Sequence, residues 1–221
     1  MAVHLVVRVL LPDRPGALGA VAQRIASVQG DIVGVDVLER SGSVAVDEFF
    51  IDVHDADVVP LLIREIEAVD GAAVEEARPV DAHPEPLLDA LASAEALVRA
   101  TDRETLWSSL VDLVAQEFTA EWVALVTHRD ILRTAGPVPS ADQVLALNAG
   151  VSASPLVASG AAGPSDLLVA PLDATRATLL VSRSGRPFRQ IERGQCCGLA
   201  RIADGLAQRF SNSTHNSGAE A

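Results

Sequence analysis

An apolar residue stands at every odd position from Val3 to Leu11, with His4 and Arg8 among the residues between. That two-residue period belongs to a strand with one face buried. The period then lengthens. Leu18, Val21, Ala22 and Ile25 fall at i, i+3, i+4 and i+7, the inward face of a helix predicted from Pro15 to Val28, with Gly30 behind it as a C′ glycine. Strand-like runs follow at Ile32–Arg40 and Val44–Val53, joined by the short turn Ser41-Gly42-Ser43. A second helix is predicted from about Asp57 to Val69, with Val58, Leu62, Ile66 and Val69 inward, and Asp70-Gly71 leads into a last strand, Ala73–Val80.

The order is βαββαβ. A right-handed crossover in each half gives a four-stranded antiparallel sheet with both helices on one face, the ferredoxin-like arrangement. The junction Leu11-Pro-Asp-Arg-Pro-Gly-Ala-Leu18 has the residues a strand-to-helix corner needs. Asp13 is placed to cap, Pro15 suits the first helical turn, and Gly16 leaves the backbone open to a small anion near helix-terminal amides.

Asp13-Arg14-Pro15-Gly16-Ala17-Leu18, with Val28-Gln29-Gly30-Asp31-Ile32 opening the next strand, resembles the ACT domain, a ligand-sensing module of amino-acid metabolism. The resemblance covers about residues 2–80, the first domain being read as 1–80, and implies an amino-acid ligand held by Asp13, Arg14, Gly16, Ala17, Leu18, Asp31 and Ile32. The amides of Gly16, Ala17 and Leu18 would take its carboxylate, and Asp13 and Asp31 its ammonium. In serine-binding members the positions matching Asp13 and Asp31 carry Asn, which both donates and accepts. Carboxylates only accept, which favours a strongly cationic ligand, a bound cation, or a module that dimerises without a ligand. Asp13 as a helix cap and Gly16 as a packing glycine are the structural alternatives.

Asp81–Pro86 reads as a linker. Beyond it a helix is predicted at Leu87–Ala100 with Leu87, Leu91, Ala94 and Val98 inward, then a capping box, Thr101 to Glu104, starting a helix with Leu106, Leu110, Leu113 and Val114 inward. A hairpin follows (Glu121–His128, Ile131–Ala135), then a loop-rich stretch, 136–165, holding one helix at Ser140–Asn148. Strands at Asp166–Leu172 and Ala177–Arg183 lead to a last helix, Arg189–Phe210, with Ile191, Gly198, Ile202, Leu206 and Phe210 inward, and a disordered tail at 211–221. The helix-helix-hairpin opening and the long terminal helix after Arg186-Pro187-Phe188 resemble a reduced GAF domain over residues 87–210, an antiparallel sheet with helices from both chain ends. The fold class read from the whole chain is α+β in two domains.

All seventeen basic residues are Arg, so Lys chemistry is excluded, and the net charge is −13. Residues 1–85 hold 16 acids against 6 Arg, a field that repels nucleic acid and anionic membrane. No apolar run approaches the ~18 residues of a membrane span, and a cytoplasmic location is expected. Cys196 and Cys197 are adjacent on a helix and read as reduced core thiols. The histidines at 4, 54, 83, 128 and 215 show no metal spacing, and His4 and His83 read as solvated. No catalytic motif is visible, so no catalytic residue, metal or cofactor is expected. Arg176, Arg183, Arg186, Arg189, Arg193 and Arg201 are read as a solvated face or, more sharply, as an interdomain or intersubunit contact to the acidic first half. The expected protein is a non-enzymatic regulator, a homodimer that binds an amino acid through its first domain. The alternative is a dimerisation and interaction module with a protein partner and no small ligand.

Overall fold

The computed structural model describes residues 3–160 and 164–216. Packing divides the chain into two compact units, Met1–Glu85 and Pro86–Ala221.

In the first unit, β1 (Val3–Pro12), β2 (Asp31–Ser41), β3 (Val44–Val53) and β4 (Ala73–Val80) form an antiparallel sheet in the order β2-β3-β1-β4. Helices α1 (Ala17–Ser27) and α2 (Val59–Glu67), the latter entered through a 3-10 turn at Ala56–Val58, pack on one face. The alternation read in the sequence explains this layer. Leu5, Val7, Val9 and Leu11 of β1 and Phe49 and Ile51 of β3 meet Val21, Ile25, Leu62 and Ile66 in one buried cluster. His4, Arg8, Glu48 and Asp52 lie on the opposite face, with Arg8 paired across the register to Glu48 at 2.9 Å.

Three local readings of this unit change. Gly16, in the left-handed region at φ 88°, is the N-cap of α1 without a side-chain cap, so the helix starts later than predicted and Asp13 does not cap it. Leu18 is exposed and Ala17 takes its place in the core. At the other end of α1 the left-handed residue is Gln29 rather than Gly30. Gly30 is needed for space, because a Cβ there would sit 2.7 Å from Ile25 Cγ2.

In the second unit, β5 (Trp122–Val126), β6 (Ile131–Ala135), β7 (Leu167–Leu172) and β8 (Ala177–Ser182) form an antiparallel sheet in the order β6-β5-β8-β7. Helices α3 (Pro86–Val98), α4 (Arg103–Glu117) and α7 (Gln190–Asn216) belong to the cluster on one face. On the other, α5 (Ala141–Ser152) and the short α6 (Pro155–Ala158) adjoin a smaller apolar cluster around Trp122, Val144 and Leu180. Helix α6 lies in a stretch expected to be loop, and α5 starts from a capping box of Ser140 and Gln143. The cap of α4 is Asp102, which accepts from the Thr105 amide at 2.8 Å, in place of the predicted Thr101–Glu104 box.

Two helix faces also differ from expectation. Leu91 and Val98 of α3 are exposed, and Ser93 and Leu97 face the core. Ile191 and Ile202 of α7 are largely outward, and Cys196, Leu199, Ala200, Ala203 and Ala207 are buried. Small side chains on that row let the helix lie close to the sheet. Helix α7 continues past the predicted end at Phe210 to Asn216; the remainder of the expected tail, 217–221, lies outside the described residues.

Two of the six Arg, Arg183 and Arg193, are buried rather than solvated. Arg183 Nη2 donates to both carboxylate oxygens of Glu192 at 2.8 Å, and its other nitrogens reach the carbonyls of Phe118 and Arg186. Its guanidinium lies 4.1 Å from the centre of the Phe188 ring. Arg193 donates to the carbonyls of Leu167 and Pro164. These cations are internal fasteners of the second unit.

Candidate functional site

Where β1 ends, the chain turns through Asp13 to Gly16 and enters α1, and the corner borders a cavity of about 430 Å³. Leu11, Ala45, Asp47 and Val37 line it from the sheet, Asp13 to Leu18 from the corner, and Arg40 from the far end of β2. The hairpin brings Arg40 here. Asp13 N–H donates to the carbonyl of Ser43, and Arg40 Nε and Nη2 donate to the two oxygens of Asp13 at 3.2 and 2.5 Å. This pair holds the Asp13 carboxyl below the usual range, chiefly through the hydrogen bond from Arg40.

Asp47 is the residue the sequence reading left out. It sits on the helix-facing side of β3, in register with Val9 and Val37, where its neighbours Ala45, Phe49 and Ile51 are core residues. Only 4% of its surface is exposed, and Oδ1 is buried with no hydrogen-bond partner among the described residues. Burial pushes its carboxyl upward, opposed in part by the charge of Arg40. A charge on the apolar alternation of a strand is the signal that could have identified it.

Asp13, Arg14, Gly16, Ala17 and Leu18 all border this cavity. The Ala17 amide is already used, donating to the carbonyl of Arg14 at 3.2 Å, whereas the Leu18 amide lies in the first helical turn, where no intrahelical acceptor exists. Arg14 reaches toward Asp70 at 3.8 Å. Asp31 and Ile32 are elsewhere in this chain. Asp31 is in register with Asp52, and Asp52 with His4, so it lies at the opposite end of the sheet, about nine strand residues or roughly 30 Å from Asp13. Ile32 points the other way and packs against the core.

His4 and His83 also depart from the solvated reading, because both contact Asp52 Oδ1, at 2.6 and 2.5 Å. These hydrogen bonds hold the Asp52 carboxyl below its usual range. In the second unit, Ser159, Asp173, Cys197 and Arg201 line a cavity of about 420 Å³. Both thiols are free and buried, and burial raises them above the ordinary thiol range, so neither has thiolate character.

Residues 5–71 match the family model of the ACT domain. The amino-terminal unit is an ACT domain. Among solved structures the chain is similar to the ACT domain from GTP pyrophosphokinase of Chlorobium tepidum, at 14% identity and a TM-score of 0.30, covering 36% of this chain and 100% of that one. It is also similar to a putative glycine cleavage system transcriptional repressor, at 11% identity and a TM-score of 0.31, over 82% of this chain and 79% of that one. A third is the bacteriophytochrome RpBphP3 from R. palustris, at 14% identity and a TM-score of 0.38, covering 81% of this chain and 48% of that one. No curated protein matches. The ACT unit is followed by a second α+β domain, and among the described residues no helix is long and apolar enough to cross a membrane.

Proposed function

We propose that this is a cytoplasmic, non-enzymatic regulatory protein whose ACT domain binds an amino acid or similar small metabolite in the Asp13–Asp47 cavity. Its second, GAF-like domain is the sensory or interaction partner of that event. The observation that carries the reading is the buried Oδ1 of Asp47, without a hydrogen-bond partner among the described residues, at a cavity also lined by Arg40 and the amino end of α1. An unpaired buried acceptor is a cost that an incoming ammonium or guanidinium relieves. The ligand's carboxylate then has the Leu18 amide and the positive end of α1 beside it. Asp13 is engaged by Arg40, so Asp47 rather than Asp13 is the natural cation acceptor.

Homodimerisation is the second reading, favoured by β2. It is an edge strand, and Val33, Val35 and Val37 are exposed along it. An apolar edge of this kind is suited to pairing with the same edge of a second copy. The binding reading is tested by a thermal-shift panel of the twenty amino acids on the full chain. A ligand at about 100 times its Kd stabilises the native state by roughly 2.7 kcal/mol. One or more amino acids should raise Tm for the wild type and leave Asp47→Asn unmoved. No shift with any of them contradicts ligand sensing and leaves the dimerisation module.

A further inference from the structure

We propose that His4, Asp52 and His83 form a site for a first-row divalent metal ion such as Zn²⁺, at the end of the sheet remote from the Asp13–Asp47 cavity. His4 and Asp52 are direct cross-strand partners in β1 and β3, so their side chains leave the sheet on the same face. His83, from the segment after β4, comes down on the pair. Its ring meets that of His4 edge-on with centres 5.0 Å apart and lies 6.1 Å from Phe50. Two ring nitrogens thus converge on one carboxylate, and one donor atom from each of the three residues lies within 4.8 Å of the other two. A tetrahedral ion with bonds of about 2.0–2.1 Å needs donors roughly 3.3–3.4 Å apart, a spacing that small side-chain rotations reach from here.

The chemistry of the set selects the ion. Two imidazoles and a carboxylate suit Zn²⁺, Co²⁺ or Ni²⁺, whereas Ca²⁺ and Mg²⁺ require oxygen. Three protein ligands leave a position open, and the cluster is partly exposed, with side-chain accessibilities of 38% for His4, 31% for Asp52 and 18% for His83. The exposed Asp31 carboxylate is next along the row, in register with Asp52 on β2, and adds negative charge beside the entry. His83 Nδ1 is buried without a hydrogen-bond partner among the described residues. Bound metal would fasten the 81–85 segment to β1 and β3, three stretches remote in sequence.

The test is calorimetric titration of the metal-stripped full chain with Zn²⁺, with Co²⁺ absorption as a spectroscopic readout and Mg²⁺ as control. The expected result is one Zn²⁺ per chain, a Co²⁺ visible band of low-coordinate form, and no response to Mg²⁺. Affinity should fall at least about tenfold in His83→Ala and in Asp52→Asn. His83 lies outside the strands, so its variant keeps the fold even where a strand substitution does not. Absence of Zn²⁺ binding by the wild type, or undiminished binding by a folded His83→Ala, overturns the site. Because Asp47→Asn leaves these ligands untouched, loss of amino-acid binding and loss of metal binding are separable results.

Discussion

The two units bury charge in opposite ways. In the second, Arg183 and Glu192 satisfy each other, and Asp204 accepts from the Ala174 and Thr175 amides and the Thr175 hydroxyl at 2.7–3.0 Å. In the first, Asp47 is as deeply buried and has an oxygen with no hydrogen-bond partner among the described residues. On the proposed reading, the contrast is between charge that holds a fold together and charge that receives a ligand. Removing the first kind leaves a stranded partner. Removing the second should relieve a cost and, if the proposed function holds, abolish binding.

The largest effect is expected at the buried pair. Glu192→Ala strands the Arg183 guanidinium and should lower stability by about 3–5 kcal/mol in urea denaturation. An unchanged midpoint would place this pair outside the load of the fold. Asp204→Ala is expected to cost less, about 2–3 kcal/mol, because the 174–175 turn loses its acceptor but can meet water instead.

Asp47→Asn should do the opposite in the ligand-free protein, raising stability by up to about 1 kcal/mol at neutral pH. The sign follows from linkage. The folded-state carboxyl of Asp47 is raised, so its favourable contribution is fully present below the unfolded pKa and is lost as pH rises through the folded value. The wild type should therefore lose stability relative to Asp47→Asn across the upper carboxylate range. A difference that does not vary with pH would show that Asp47 is paired after all. The smallest effect belongs to Asp13, whose depressed carboxyl works in reverse: its contribution is present above the unfolded pKa and is lost as pH falls through the folded value. Asp13→Asn should shift Tm slightly at low salt and not at all at high salt, since Arg40 is exposed.

How far the sequence foretold this arrangement depends on the periodicity available. The strict alternation of Val3 to Leu11 located β1 to within one residue of its end at Pro12, and the rest of the βαββαβ order followed. Helix faces were less legible. In α3 and α7, Ala, Leu and Ile fall on several rows at once, so Leu91 and Ile202 looked as suitable for the core as Leu97 and Ala203, and only packing chose between them. The corner at Asp13–Leu18 was readable because proline, glycine and an acid each have a local reason to be there. Asp47 was not, because Asp47 and Glu48 take opposite faces of a strand and only the register tells which of them turns to the core. His4, Asp52 and His83 were invisible for a simpler reason: 48 and 31 residues separate the partners, and no local spacing marks them.

The central claim is that the buried carboxylate of Asp47 accepts the cationic group of a small ligand. Isothermal titration of the best stabilising amino acid into wild type and Asp47→Asn tests it most directly. The account predicts measurable binding by the wild type and at least about a tenfold loss in a variant that remains folded, a difference of roughly 1.4 kcal/mol. Equal affinity in the two proteins would contradict it.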